Sequence, residues 1–257
     1  MKTVLVTGAT GAIGKAIVRN IAYEPENKII MVIRDESKGM RVRDEIINDT
    51  GNSNVDYAVV DLSNKAEIFR LAKNMDLPVN VLVNNAAVTP RKRLETREGI
   101  ELQWATNVLG YYWMITAFTP HLQRVDSARV VNVASYWAGG LDLNDPEFQS
   151  RRYHNDTAYR QSKQANRMMS IAFAENLEGI AVNACHPGDV NSKLSNDLGF
   201  GGHESPDEGA RTPVWLATEN AGIENTGNYF EHGRESVCQF SRDKNGIKEL
   251  MSICSKY

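Results

Sequence analysis

Tyr159 and Lys163 stand one helical turn apart in the segment Tyr159-Arg160-Gln161-Ser162-Lys163. Residues i and i+4 share a helix face, so the Lys163 ammonium can approach the Tyr159 hydroxyl. A free tyrosine has a pKa of about 10, and a neighbouring cation stabilises the phenolate and lowers that pKa. We therefore expect Tyr159 to exchange a proton near neutral pH, as the interconversion of a carbonyl and an alcohol requires. Taken alone, the pair has a surface contact on a helix as its alternative interpretation.

Ser135 and Asn107 are two further polar residues that this chemistry would use. Ser135 follows the predicted buried strand Ala128–Val133, where its hydroxyl could hold a substrate oxygen within reach of Tyr159. Asn107 falls inside a long predicted helix and could bind a water through its backbone or its side chain, linking Lys163 to solvent. The alternatives are a cap or turn for Ser135 and a polar core residue for Asn107.

A glycine-rich turn, Thr7–Gly14, follows the first predicted strand. Gly8 permits a tight turn, and Gly14 lets the next helix pack closely against the sheet. Because the helix begins here, its free N–H groups and positive dipole end can face a pyrophosphate. The turn predicts a dinucleotide site, with an ordinary glycine-rich junction as the alternative. The predicted contacts in this turn are Gly8, Thr10, Gly11, Ala12, Ile13 and Gly14.

The end of the second predicted strand indicates which dinucleotide binds. Arg34 follows Ile33, and a cation at this position suits the 2′-phosphate of NADP(H), with Lys38 as a second cation. The alternative is that Arg34 only caps the strand and that Asp35 binds the 2′-hydroxyl of NAD(H). We expect NADP(H). Residues after the third and fourth strands are expected to contact the remainder of the cofactor: Asp61, Leu62, Asn85, Ala86 and Ala87.

Short apolar runs alternate with longer amphipathic stretches along the whole chain. The predicted strands are Thr3–Val6, Lys28–Ile33, Asp56–Val60, Val79–Val83, Ala128–Val133, Ala181–Ala184 and Asn228–Phe230. The predicted helices are Ile13–Tyr23, Arg41–Asn48, Lys65–Asn74, Leu102–Leu122 and Thr157–Glu175. Strands that are apolar throughout are buried on both faces, and their alternation with helices predicts parallel crossovers. We expect an α/β fold with a doubly wound parallel sheet, in a single domain over residues 1–257, with its ligand at the carboxyl ends of the strands.

The composition argues against several other classes of protein. The 257 residues carry a net charge of −3, without the clustered positive field of a nucleic-acid or anionic-membrane surface. Three cysteines, odd in number and without zinc-site spacing, favour a reducing compartment and no metal. No apolar run approaches the roughly 20 residues of a membrane span, and no secretory signal is present. We therefore expect a cytoplasmic protein with a small-molecule substrate.

Together these motifs resemble those of the short-chain dehydrogenase/reductase family over nearly the whole chain. The residues that carry the resemblance are Thr7–Gly14, Asp61-Leu62, Asn84-Asn85-Ala86, Asn107, Ser135, Tyr159, Lys163 and His186-Pro187-Gly188. The resemblance implies a Rossmann fold and a catalytic centre of Ser135, Tyr159 and Lys163 assisted by Asn107. It also implies cofactor contacts at Tyr159, Lys163, Pro187, Gly188 and Val190.

Within this family, the chain resembles the retinol dehydrogenase and carbonyl-reductase-like branch. The long run between Ser135 and Tyr159 is similar to that branch. The resemblance implies a mobile substrate lid over about residues 191–205. It also admits a homodimer or homotetramer paired through the predicted helices Leu102–Leu122 and Thr157–Glu175, unless the long run covers that surface.

Six residues are expected to form the substrate pocket. They are Ser135, Tyr136, Trp137, Tyr159, Asp189 and Leu194. Tyr136 and Trp137 suggest a partly apolar or aromatic substrate, and simple core packing is the alternative interpretation of both rings.

These observations predict an NADP(H)-dependent oxidoreductase that interconverts a carbonyl and an alcohol. The Gly11-Ala12 spacing, and Ala87 where a glycine is more usual, depart from this branch. The glycine spacing resembles the extended branch, so a nucleotide-sugar epimerase or dehydratase is one alternative, against which the chain length argues. A non-catalytic NADP(H) sensor is another, but a sensor has no use for the proton-transfer groups.

Overall fold

One eight-stranded sheet forms the centre of the computed structural model, which describes residues 2–257. The strands lie in the order β3-β2-β1-β4-β5-β6-β7-β8. They are β1 (Thr3–Thr7), β2 (Lys28–Ile33), β3 (Val55–Val59), β4 (Val81–Asn84), β5 (Ala128–Val133), β6 (Ile180–His186), β7 (Tyr229–Glu231) and β8 (Arg234–Ser236). All neighbours pair in parallel except β7 and β8, which are antiparallel. The predicted doubly wound α/β sheet is therefore confirmed, with one antiparallel edge strand added.

Helices cover both faces of the sheet, because its central strands are buried on both sides. The helices are α1 (Ala12–Ala22), α2 (Glu36–Thr50), α3 (Lys65–Asn74), α4 (Gly110–Leu122), α5 (Asn155–Asn176), α6 (Lys193–Leu198), α7 (Pro206–Thr218), α8 (Ala221–Glu224) and α9 (Lys244–Cys254), with a π-helix at Trp104–Leu109. The apolar residues of α1 and α7 belong to one core cluster, and those of α3, α4, α5 and α9 to the other. None of the helices within residues 2–257 is both long and apolar enough to cross a membrane.

The sheet reverses its strand order between β1 and β4, which are neighbours in space. The connections from these strands run to opposite faces, so a crevice opens at their carboxyl ends. The glycine-rich turn follows β1, and Asn85 follows β4. The fold therefore brings the two predicted cofactor segments to one place.

Several predicted boundaries differ from the structure. The predicted helix Leu102–Leu122 divides into the π-helix and α4. The predicted helix Arg41–Asn48 begins earlier, at Glu36, because the Asp35 side chain accepts a hydrogen bond from the Lys38 amide and caps it. The fourth strand lies at Val81–Asn84, two residues after its predicted start at Val79.

The largest difference between the predicted and the observed elements lies in the C-terminal third of the chain. The helices α6 to α9 and the strand β8 were not predicted. Two of these helices, α6 and α8, are six and four residues long, too short for a helical period to be recognised.

Candidate active site

The glycine-rich turn has the geometry of a phosphate cradle. Gly8 has a φ of +64°, and a Cβ atom there would lie 2.7 Å from the Cα of Ala86. A Cβ at Gly14 would lie 2.2 Å from the carbonyl oxygen of Gly8. The helix α1 begins after Gly11 with no side-chain cap and no acidic residue in its first turn. Its first N–H groups are thus free for an anion, and the turn fits the pyrophosphate of a dinucleotide.

Asn85 holds this turn against β4. Its side-chain amide donates to the carbonyl of Thr7 at 2.9 Å, and its backbone N–H donates to the Thr7 hydroxyl at 2.9 Å. The Ala86 amide donates to the same hydroxyl at 3.1 Å. Asn85 and Ala86 therefore lie at the cradle as predicted. The role of Thr7 was not predicted, since only the fold shows that its hydroxyl receives both amides.

Three charged residues that follow β2 differ in whether they contact other groups of the protein. They are Arg34, Asp35 and Lys38. The Asp35 carboxylate caps α2 and lies 3.9 Å from the Lys38 ammonium. Arg34 is exposed and forms no ion pair with any residue in the described part of the chain. Of these three charged groups, the Arg34 guanidinium is the one without a partner among residues 2–257.

Asp61 and Leu62 are mainly engaged with the protein itself. The Asp61 carboxylate accepts hydrogen bonds from the amide and the hydroxyl of Ser63, at 3.0 and 2.8 Å. The Leu62 side chain packs in the core. Their contact with adenine stays a prediction, as does the cofactor contact of Ala87, which is half-buried after β4.

Ser135 and Tyr159 meet in the wall of one cavity, which Ile13 at the start of α1 also lines. The Ser135 hydroxyl lies near enough to Tyr159 to lower the pKa of its phenol. The Ser135 oxygen accepts a hydrogen bond from the Trp137 amide at 3.1 Å, which fixes its position. Tyr159 is only 8% exposed. A hydroxyl that follows β5 and a hydroxyl of α5 thus lie in one wall beside the phosphate cradle.

Lys163 lies near Tyr159, but its ammonium is directed elsewhere. The Nζ atom donates to the carbonyl of Val133 at 2.8 Å and lies 5.6 Å from the centre of the Tyr159 ring. Burial lowers the pKa of Lys163 to about 7. Burial also raises the pKa of Tyr159 to about 12, against the lowering effect of the nearby Ser135 hydroxyl. The expectation that Lys163 lowers the tyrosine pKa is therefore wrong, because desolvation exceeds any stabilisation of the phenolate.

Asn107 lies in the π-helix, and its side chain is fully engaged. Its Oδ1 accepts from the Val88 amide at 2.9 Å, and its Nδ2 donates to the Val88 carbonyl at 3.0 Å. The side chain is therefore not available for the water contact considered above, and only the backbone alternative stays a prediction. The Gly110 amide donates to the Ala105 carbonyl, five residues back, which is a π-type bond. Such turns are frequent at functional sites.

Trp137 and Phe200 are aromatic side chains at the predicted substrate end of the cavity. Tyr136, which was expected there, does not line the cavity: it is 43% exposed, and its hydroxyl donates to an Asp189 carboxylate oxygen at 3.3 Å. The Trp137 ring packs edge-on against Phe200, with ring centres 4.5 Å apart, and Leu194 lies in the same wall. Phe200 was not predicted as a site residue, although it falls in the lid segment 191–205.

The lid segment is partly helical. It contains α6, which begins with a reciprocal capping box between Ser192 and Ser195. The segment then returns to the site through a parallel bridge between Val190 and Glu204. Pro187, Gly188 and Val190 all line the cavity, next to His186. His186 carried the resemblance to the family but was given no role from the sequence.

A larger cavity of about 480 Å³ lies between α3 and α4 and contains none of the predicted site residues. It is lined mainly by apolar groups, among them Phe69, Ile100 and Trp113. The predicted chemistry is therefore located in the smaller cavity.

Comparisons with known proteins agree with this geometry. The family model described as short chain dehydrogenase matches residues 2–199. Human dehydrogenase/reductase SDR family member 12 is 31% identical over 247 residues, covering 91% of this chain and 77% of that protein. Human retinol dehydrogenase 13 is 29% identical over 252 residues, covering 90% and 76%.

Two solved structures extend the comparison to the fold. A crystal structure of an uncharacterised protein from Mycobacterium paratuberculosis superimposes with a TM-score of 0.84 at 26% identity, covering 100% of this chain and 92% of that chain. Pseudomonas aeruginosa RhlG, solved as an NADP active-site complex, gives 0.71 at 25% identity, covering 90% and 94%. The chain belongs to the short-chain dehydrogenase/reductase family of nicotinamide-dependent oxidoreductases, in its retinol dehydrogenase branch.

Proposed function

We propose that this chain is an NADP(H)-dependent oxidoreductase that interconverts a carbonyl and an alcohol on a small, partly apolar substrate. The observation that carries the proposal is that Ser135 and Tyr159 lie together in the wall of a cavity that reaches the start of α1. A nicotinamide cofactor, when bound, supplies or accepts the hydride.

The side chains in and beside the cavity have different roles in the reaction. Ser135 holds the substrate oxygen, because its own hydroxyl is fixed by the Trp137 amide. Tyr159 gives a proton to that oxygen during reduction and takes it back during oxidation. A pKa of about 12 keeps Tyr159 protonated at neutral pH, which suits the donor role. Lys163 supplies a buried, titratable ammonium beside the ring.

Asn107 supports the site through the backbone. By holding both polar groups of Val88, it fixes the segment that follows β4 and faces the crevice. Its backbone remains the candidate contact for a water that returns protons to Lys163.

The preference for NADP(H) is supported by the second βα junction. Asp35 is engaged as the cap of α2, whereas Arg34 is exposed without a protein partner in the described chain. A guanidinium binds a phosphate well because its N–H groups form a planar fork. RhlG, at 25% identity, is described as an NADP complex. The matching relatives carry dehydrogenase and reductase names, which favours this function over an epimerase or a sensor.

The decisive experiment is the Tyr159→Phe variant. NADPH consumption is measured with a panel of aldehydes, ketones and quinones. We expect turnover to fall by at least about 100-fold, since general acid catalysis is lost, while the Kd for NADPH stays the same. Tyr112→Phe, the same change on α4 outside the cavity, is the control and should retain activity. Full activity in Tyr159→Phe would remove the tyrosine from the mechanism.

A further inference from the structure

His186 is a buried polar side chain in the substrate cavity that the mechanism does not use. It is the last residue of β6, is 6% exposed, and lies in the same wall as Ser135 and Tyr159. Its Nδ1 atom is buried without a hydrogen-bond partner among residues 2–257. An unsatisfied buried polar group is costly, so a ligand that completes its bonding gains affinity.

The imidazole of His186 is uncharged and held in place. Burial is the largest of the effects that lower its pKa, to about 4, so it stays neutral near pH 7. Its ring packs edge-on against Tyr136, with ring centres 4.6 Å apart, and lies 6.3 Å from the ring of His232. A neutral imidazole has one nitrogen that donates and one that accepts. A hydroxyl group can match either nitrogen, because it both donates and accepts.

The charges around this cavity are unfavourable for an anion. Among the described residues that line it, Asp189 is the only one with a charged side chain. A second carboxylate, that of Glu204, accepts a hydrogen bond from the Asp189 amide. Trp137, Leu194 and Phe200 give the substrate end apolar surface. Ser192 and Ser195 also line the cavity, but their hydroxyls are hydrogen-bonded to backbone groups at the start of α6. A substrate carboxylate would be repelled by the Asp189 carboxylate. Among the described residues that line the cavity, no lysine or arginine could bind it.

We propose that His186 is a specificity residue that hydrogen-bonds a hydroxyl group of the substrate. The substrate is then a non-anionic, largely apolar or aromatic carbonyl compound that carries a second, hydroxyl oxygen. This inference rests on the carbonyl–alcohol chemistry proposed for the same cavity. It differs from that proposal in naming the group recognised away from the reacting carbon.

The test compares matched aromatic aldehydes. The meta and para isomers of hydroxymethyl-, ethyl- and carboxybenzaldehyde are reduced with NADPH, because hydroxymethyl and ethyl groups have similar size. We expect the best hydroxymethyl isomer to exceed its ethyl partner about fivefold in kcat/KM, as one added hydrogen bond allows. All carboxy isomers should be poorer than their ethyl partners.

Variants then assign the preference to the imidazole. His186→Phe keeps a ring against Tyr136 but removes both nitrogens, so the ratio of hydroxymethyl to ethyl should fall to about one. His232→Asn removes a neighbouring imidazole outside the cavity lining and should keep the wild-type ratio. An unchanged ratio in His186→Phe overturns the assignment. If that variant does not fold, the wild-type ratio decides, and a ratio of one overturns it.

A binding measurement separates this inference from the proposed function. Benzenedimethanol and ethylbenzyl alcohol isomers are titrated by calorimetry into the NADP⁺-bound protein. If no aldehyde is reduced, the proposed function fails. Tighter binding of benzenedimethanol, abolished in His186→Phe, would still support hydroxyl recognition by His186. Equal affinities, no binding of either alcohol, or a preference for the carboxybenzaldehydes would overturn it.

Discussion

Enclosure changes the protonation of several side chains around the cavity. Tyr159 and Lys163 are 8% and 2% exposed, and burial raises the pKa of the phenol and lowers that of the ammonium. Both shifts favour the uncharged form, because a charge in a low-dielectric interior loses its hydration. The neutral phenol of Tyr159 can therefore donate a proton near pH 7.

Arg34 provides a prediction about cofactor choice. Arg34→Ala should raise the Kd for NADPH by about tenfold or more, since charged hydrogen bonds to a phosphate are lost, while the Kd for NADH changes little. Fluorescence titration of both cofactors measures this. Arg41→Ala is the control, because it removes an exposed arginine that lies within α2. Equal affinity of the wild-type protein for NADH and NADPH would contradict the proposed preference.

Glu101 provides a prediction about pH. It is 1% exposed, it accepts hydrogen bonds from the amides of Gln103 and Trp104, and burial raises its pKa to about 7. Between about pH 4.5 and 7 the folded state retains a proton that the unfolded state has lost. The free energy of unfolding should therefore fall as pH rises through this range, by roughly 3 kcal/mol from this one group.

The Glu101→Gln variant isolates that contribution. Urea unfolding of both proteins from pH 4.5 to 7.5 should show that wild type loses stability relative to the variant as pH rises. Glu98→Gln, an exposed neighbour, should follow wild type. Parallel curves for wild type and Glu101→Gln would show that the carboxyl group titrates at its ordinary pKa.

At the scale of elements, the buried guanidinium of Arg129 in β5 caps the C-terminal end of α7. The Arg129 guanidinium donates to the carbonyls of Leu216 and Glu219, at 3.2 and 2.6 Å, and the residue is 3% exposed. The Leu216 carbonyl has no backbone donor among residues 2–257, whereas the Glu219 carbonyl also accepts from the Gly222 amide at 3.1 Å. A cation also stabilises the negative end of the helix dipole. The C-terminal end of α7, the helix that follows the lid segment, is thereby anchored to the sheet.

Removal of this cation should destabilise the fold. Arg129→Leu leaves the Leu216 carbonyl unsatisfied and removes one of the two donors to the Glu219 carbonyl, so we expect the free energy of unfolding to fall by about 2 kcal/mol. Arg124→Leu is a matched control, because Arg124 forms only an exposed pair with Asp76 at 3.4 Å and should change stability by about 0.5 kcal/mol or less. Similar unfolding midpoints for the two variants in urea would refute the capping role.

At the scale of the whole molecule, α9 covers the surface that was expected to pair subunits. Ile247, Leu250 and Cys254 of α9 are buried in the same cluster as residues of α4 and α5. The long segment before Tyr159 also contributes to covering this surface, because its Glu147 carboxylate accepts a hydrogen bond from the Tyr257 hydroxyl at 2.5 Å. A partner pairing through α4 and α5 would have to displace packed apolar side chains.

We therefore predict a monomer. Light scattering after size-exclusion chromatography, at micromolar concentration and with NADPH present, should give the mass of one chain, 28.6 kDa. A stable dimer whose formation is abolished by changes on α4 or α5 would contradict this prediction, and the expectation of a homodimer or homotetramer would then stand.

The sequence by itself determined the order of the elements as far as β6, but not α6 to α9 or β8. β2, β5 and α3 have their predicted bounds, because continuous β-branched runs and a clear helical period are local properties. The phosphate turn was equally predictable, since the need for glycine at Gly8 and Gly14 arises from contacts within one strand–turn–helix unit and its neighbour.

Only the tertiary structure decided the partners of the buried polar groups. Asn107 binds Val88, nineteen residues away, and Lys163 binds the Val133 carbonyl, thirty residues away. No period in the sequence encodes such pairs, because they depend on which elements the sheet brings together. The pKa values follow the same rule: spacing places Lys163 near Tyr159, but the depth of burial, a property of the whole fold, sets the charge that each carries.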